Sequence, residues 1–154
     1  MVIRELLSSD IESINKIAKS LHPKWFTSDA LKNISIDVQI DKCYVAESNN
    51  NIVGFIIFSS QDGEVRINWL GVNPDFHREG TGSKLLERVI NFVKEIGSKK
   101  IIVETVVEQI PKDGSYDETM KFYMKQGFMI FKKYPEEHFK EFTFTKGLLE
   151  KQIK

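Results

Sequence analysis

At 154 residues, with 41% hydrophobic and 29% charged residues, the chain is long enough for a single domain over residues 1–154 with a real core, and too apolar to be intrinsically disordered. Its 22 basic and 22 acidic residues balance, which gives no support for a broad nucleic-acid-binding surface; no stretch is apolar enough for a membrane span, and the lone Cys43 cannot form an internal disulfide. Met1-Val2-Ile3-Arg4-Glu5 lacks the basic region and apolar run of a secretory signal, so a cytoplasmic protein is expected, and no Cys/His cluster has metal-ligand spacing.

Val2 to Leu6 reads as a short strand. Ser9-Asp10-Ile11-Glu12 has the form of a capping box and predicts a helix with Ile11, Ile14, Ile17 and Ala18 on its apolar face. His22 to Phe26 is a loop whose two large aromatics, Trp25 and Phe26, either line a binding wall or plug the edge of the core. Thr27 or Ser28 caps a second helix reaching about Val38, with Leu31, Ile34 and Val38 as its stripe. Cys43 to Ser48, Ile52 to Ser60 and Glu64 to Val72 then predict an antiparallel three-strand meander. The turns between them, Asn49-Asn50-Asn51 and Asp62-Gly63, use residues that tolerate hairpin backbone angles.

Asn73-Pro74 ends the third of those strands, because Pro cannot donate to a ladder. Leu85, Leu86, Val89, Ile90, Val93 and Ile96 mark one face of a helix that starts near Gly80 and stops at Gly97. A strand joined to a helix through closely spaced glycines is an anion site: the first helical N–H groups have no intrahelical partner, the helix dipole is positive there, and Gly80 and Gly82 let a phosphate approach the main chain. Arg78 adds a full charge. Two familiar phosphate patterns fail on this loop. Walker A needs Lys directly after the second Gly, where Ser83 stands, and the dinucleotide fingerprint needs a small residue at Leu85.

Lys99 to Val107 is a mostly continuous apolar run, as expected of a central strand, with Glu104 as its anomaly. Ser115-Tyr116-Asp117-Glu118 forms a second capping box and opens a helix through Gln126 that Gly127 ends. Phe128 to Tyr134 and Phe142 to Lys146 predict a closing hairpin, joined through Pro135-Glu136-Glu137-His138.

The segment from Val72 to Leu86, V-x-P-x-x-H-R-x-G-x-G-S-x-L-L, resembles the acetyl-CoA pyrophosphate loop of the GNAT superfamily of acyl-CoA N-acyltransferases, usually written Q/R-x-x-G-x-G/A, with His77 at the Q/R position. Thr119 to Phe128 resembles the A/T-x-x-F-Y-x-x-x-G-F segment of the same superfamily, in its correct place. The order of the expected elements also matches that superfamily's fold, so the resemblance covers nearly the entire chain. The resemblance implies an α/β (α+β) fold in the order β-α-α-β-β-β-α-β-α-β-β, with a mixed, mostly antiparallel central sheet and helices on both faces. It implies transfer of an acetyl group from acetyl-CoA to a primary amine of a small molecule, peptide or protein, by direct attack in a ternary complex. The family often dimerises, so a homodimer is an expected assembly.

By that resemblance the pantetheine arm lies between the parted fourth and fifth strands against the backbone of Leu70, Gly71 and Val72. His77, Arg78, Glu79, Gly80, Thr81, Gly82 and Ser83 hold the pyrophosphate, and the Tyr123 hydroxyl stands near the thioester sulfur, able to protonate the leaving thiolate. Glu104 and Glu64, carboxylates on the two parted strands, are the base candidates. Each also has a structural reading: Glu104 in an ion pair with Arg66 or a lysine, Glu64 as a solvated residue beside a turn. The acceptor pocket falls to Trp25, Phe26, Tyr134, Glu136 and Glu137, whose acids suit a cationic substrate or a solvated loop. Two other classes stay open: a non-catalytic acyl-CoA sensor, which would not need Tyr123, and a binding domain for another phosphate ligand.

Overall fold

A computed structural model describes residues Met1–Lys154. In chain order the elements are β1 (Val2–Glu5), α1 (Ile11–Ser20), α2 (Ser28–Asp37), β2 (Lys42–Ser48), β3 (Asn51–Gln61), β4 (Glu64–Val72), α3 (Thr81–Glu95), β5 (Lys100–Ile110), α4 (Gly114–Lys125), β6 (Met129–Lys133), β7 (Glu137–His138) and β8 (Thr143–Gln152). The strands form one sheet in the order β1-β2-β3-β4-β5-β8-β6, with the two-residue β7 also on β8. Every neighbouring pair is antiparallel except β4 with β5. No helix is long and apolar enough to cross a membrane.

Strand alternation sends side chains to two cores, one on each face. The larger holds Tyr44, Ile56, Phe58, Val65, Ile67, Ile101, Val103 and Leu149 under α3 and α4. The smaller holds Cys43, Val45, Phe55 and Ile57 under α1 and α2. On α3, Leu85, Leu86, Val89 and Val93 are fully buried, each contributing roughly 2 kcal/mol of transfer free energy. That stripe, rather than helix propensity, fixes where the first turn of α3 points.

Both expected capping boxes are replaced. The Asp10 carboxylate is drawn backwards, accepting from the Leu7 N–H at 2.8 Å and from Arg4 Nη1 at 2.8 Å, so a 3-10 turn over Ser8–Asp10 precedes α1. At α4 the cap is Asp113, whose Oδ1 accepts from the Ser115 N–H at 2.8 Å and also contacts the buried Ser115 hydroxyl, which lies 2.9 Å from the Lys24 carbonyl as its other acceptor. Thr27 does cap α2, accepting from the Ala30 N–H at 3.1 Å. The closing hairpin is longer than the sequence suggested. β8 runs on to Gln152 between β5 and β6, and Glu137–His138, expected as loop, pair with Phe144 and Thr143.

Candidate active site

β4 and β5 pair only over Val65–Ile67 against Ile101–Val103, although β4 continues to Val72 and β5 to Ile110. The cause lies on the other edge of β4. Across β3, Ile57 faces Trp69 and Phe58 faces Ile67, so Asn68 is an extra, bulged residue. A bulge bends its strand and sharpens the local twist, and this one turns β4 away from β5 directly after their last shared pair. It also resets the alternation: Val65 and Ile67 face the larger core, Trp69 joins the smaller one, and Leu70 and Val72 return to the larger. Beyond Ile67 and Val103 the two facing edges have no strand partner in each other. An unpaired strand edge is a template for an extended chain.

The glycine loop sits where β4 ends. Gly80 has φ +80° and an open Cβ position, so the left-handed turn that launches α3 suits glycine. The N–H groups of Thr81, Gly82 and Ser83 are the orphans of the first helical turn. Thr81 Oγ1 is an enclosed side-chain oxygen without a hydrogen-bond partner. Two side chains of this loop are committed inward. His77 Nε2 donates to the Val72 carbonyl at 2.7 Å with its ring edge-on to Trp25, and Ser83 Oγ accepts from Gln126 Nε2 at 2.9 Å. Arg78 and Glu79 are exposed, one charge suited to an anion and one opposed. Free amides at the positive end of a 15-residue helix, an open glycine and an adjacent guanidinium fit a pyrophosphate.

Glu104 lies on the face opposite Val103, toward the smaller core's side, where its Oε1 stands 3.8 Å from Arg66 Nη2. The structural pair expected for it is therefore present, but loose and open: the two side chains are 40% and 48% exposed. Glu104 also lines a cleft of about 410 Å³ with Tyr134, Pro135, Glu136, Glu137 and Lys146. Three carboxylates face one ammonium there, and Lys146 Nζ is 3.8 Å from Glu137 Oε2. Glu64 does not reach the gap. It opens β4 beside the Asp62-Gly63 turn, before the strands part, and pairs with Lys100 Nζ at 3.3 Å.

Tyr123, on the inner face of α4, is 5% exposed and packs edge-on to Phe122 and Phe128, with centroids 5.2 and 5.3 Å away. Burial pushes its phenol well above the ordinary tyrosine value, and its hydroxyl has no hydrogen-bond partner within the protein. Trp25 and Phe26 are half-buried against the smaller core rather than in the acidic cleft. Trp25 meets His77 edge-on at 5.1 Å and Phe26 meets Trp69 at 5.8 Å. The sequence did not single out Asn68, whose one signal is a polar side chain between Ile67 and Trp69, whereas Phe122, the first aromatic of the F-Y-x-x-x-G-F segment, has its ring 3.4 Å from where a Cβ on Gly82 would stand.

Comparisons with known proteins bear on the family and the fold. The family model described as "Acetyltransferase (GNAT) domain" matches residues 39–130. The fold is similar to the ribosomal-protein-S18-alanine N-acetyltransferase from Escherichia coli, with a TM-score of 0.80 at 18% identity over 99% of this chain and 93% of that one. It is similar to Ard1 from Thermoplasma volcanium (TM-score 0.76, 24% identity, 99% and 97% of the two chains). It is also similar to an aminoglycoside 6'-N-acetyltransferase complexed with coenzyme A (TM-score 0.80, 15% identity, 100% and 98%). No curated protein matches the sequence. With a glycine loop at the head of α3, parted β4 and β5, and a family match across more than half of its length, the chain belongs to the GNAT family of acyl-CoA-dependent N-acyltransferases.

Proposed function

We propose that this protein, acting as one catalytic domain, moves an acetyl group from acetyl-CoA to a primary amine by direct attack in a ternary complex at the β4/β5 gap. One observation carries the reading: the two strands stop pairing at Ile67 and Val103 yet both continue, and the free amides of α3 lie at the open end. Acetyl-CoA, when bound, supplies the acetyl group as a thioester. The main-chain N–H groups of Thr81, Gly82 and Ser83, with Arg78, hold its pyrophosphate, and the edge of β4 at Leu70, Gly71 and Val72 receives the pantetheine. His77 and Glu79 contribute through their backbone, since the His77 ring is turned onto Val72 and the Glu79 charge is of the wrong sign.

On the acceptor side, Glu104 takes a proton from the incoming ammonium at a carboxylate oxygen, and Arg66 orients it. Glu136, Glu137 and Tyr134 line the way in, so the acceptor is a cationic amine. On the opposite face the Tyr123 hydroxyl, unpaired and kept protonated by burial, donates to the departing thiolate. The base falls to Glu104 rather than Glu64, which stands before the strands part. The names of two structural neighbours, an aminoglycoside N-acetyltransferase and a ribosomal-protein-alanine N-acetyltransferase, support an amine acceptor.

Mass spectrometry of a panel of monoamines, diamines and peptide N-termini incubated with protein and acetyl-CoA tests the reading. Acetylation of at least one cationic amine is expected. Tight binding of acetyl-CoA with no acetylated amine across the panel would instead favour a sensor.

A further inference from the structure

We propose that Asp37 and Asp41, at the C-terminal end of α2, are positioning residues for acetyl transfer: they tether the two residues of the β4 bulge and so set how far β4 stands from β5. The proposal rests on the reading of the gap as the transfer site. Trp69 Nε1 donates to Asp37 Oδ2 at 2.8 Å. Asn68 Nδ2 donates one hydrogen to Asp41 Oδ2 at 3.0 Å and the other to Ser59 Oγ at 3.2 Å. Each residue of the bulge is thus held by its own carboxylate, from a five-residue segment that is itself closed by the Asp41 N–H on the Asp37 carbonyl at 2.8 Å.

The placement of these acids is otherwise unfavourable. Two half-buried carboxylates stand together at the negative end of a helix, where the dipole opposes them, and neither forms an ion pair. Burial, and then the neighbouring Asp37 charge, push the Asp41 carboxyl up, while the Asn68 amide pulls it back. Their bonds to Trp69 and Asn68 are what they gain, and a charged acceptor makes those bonds stronger than neutral ones.

The bulge needs such fixing. A one-residue shift in its position would exchange the faces of the residues it passed, and with them the direction in which the parted edge runs. Leu70 to Val72 and Glu104 belong to different strands that share no pairing beyond Ile67 and Val103, so their separation is set by supports outside the β4–β5 ladder. Those supports on β4 include its ladder to β3, the His77 ring on the Val72 carbonyl and, at the bulge itself, the α2 tether.

The test compares Asp37→Ala, Asp41→Ala and the corresponding Asn variants with wild type. With the best amine, each Ala variant is expected to lose ~10-fold or more in kcat, since a misplacement of about 1 Å is enough for such a loss. The Kd for coenzyme A should move by less than about 3-fold, because its main anchor is the head of α3. The Asn variants keep an oxygen acceptor for Trp69 or Asn68 and should recover most of the activity. Amide hydrogen exchange at Leu70 to Val72 should quicken in the Ala variants, and it needs no turnover. Folded Ala variants with normal kcat and normal exchange would overturn the proposal, as would a loss confined to thermal stability. A wild type that acetylates no amine counts against the transfer reading and the positioning role with it, whereas the exchange result still decides whether the tether holds β4.

Discussion

Glu104 and Tyr123 stand on opposite faces of one sheet. Glu104 follows Val103, which points with Tyr123 into the core under α3 and α4, and successive strand residues alternate, so its carboxylate emerges on the other side, in the acidic cleft. The parted edges of β4 and β5 lie between the two faces. In the proposed reaction, Glu104 as base and Tyr123 as acid would therefore act on the gap from opposite faces, without direct proton exchange between them.

Tyr123→Phe separates the hydroxyl from the ring. The ring fills a buried site beside Phe122 and Phe128 and the hydroxyl has no partner to lose, so thermal stability should hold. Turnover should fall at least ~10-fold with little change in acetyl-CoA affinity, the pattern of an interaction made mainly in the transition state. Normal turnover with the best amine would assign the proton to solvent or to the ammonium itself.

Gly82 gives a graded test of the anion loop. A Cβ there would meet the Phe122 ring at 3.4 Å, an ordinary contact, so Gly82→Ala should fold and still bind acetyl-CoA. Gly82→Asp adds a negative charge among the amides of the first turn and should abolish binding. Arg78→Ala, which removes an exposed charge but no amide, should weaken binding less. Calorimetric titration of the three variants checks the order, and a Gly82→Asp protein that binds like wild type contradicts the loop assignment.

Asp10 carries a pH-dependent part of the stability. Arg4, then the Leu7 N–H, hold its carboxyl below the usual aspartate value of 3.8. A carboxyl depressed in the folded state stabilises the fold above its unfolded pKa, and that contribution is lost as pH falls through the folded value. Asp10→Ala should therefore cost about 2 kcal/mol at pH 7, the range for hydrogen bonds to charged groups. The gap from wild type should narrow below about pH 4. Denaturant unfolding at a series of pH values measures it, and a cost that stays constant with pH would contradict the assignment.

The order of elements, the glycine turn that starts α3 and the α4 segment were legible because each depends on local chemistry: apolar periods, turn residues, and glycines at a helix start. The bulge was not. In the sequence Val65, Ile67 and Trp69 alternate as if they shared a face, yet Trp69 lies opposite the other two because Asn68 is inserted across from β3. That insertion is a property of a pair of strands, visible only once the register is known. The same holds for the caps. Asp10 is held by Arg4, which lies outside the helix on β1, and the Ser115 hydroxyl beside Asp113 meets the Lys24 carbonyl from a loop distant in sequence, so neither end follows the capping box the sequence offers. Glu104 could be named from sequence, as the one charge within an apolar strand, but its cleft with Glu136 and Glu137 exists only after β8 has brought β7 alongside.

The most direct measurement is release of free thiol from acetyl-CoA by wild type and by Glu104→Gln, with and without the best amine. The account predicts release that depends on the amine in wild type and falls by ~10²-fold or more in the variant at neutral pH, the usual size of a general-base effect. Cofactor affinity should hardly change. Release that ignores the amine, or that proceeds equally in both proteins, would contradict it.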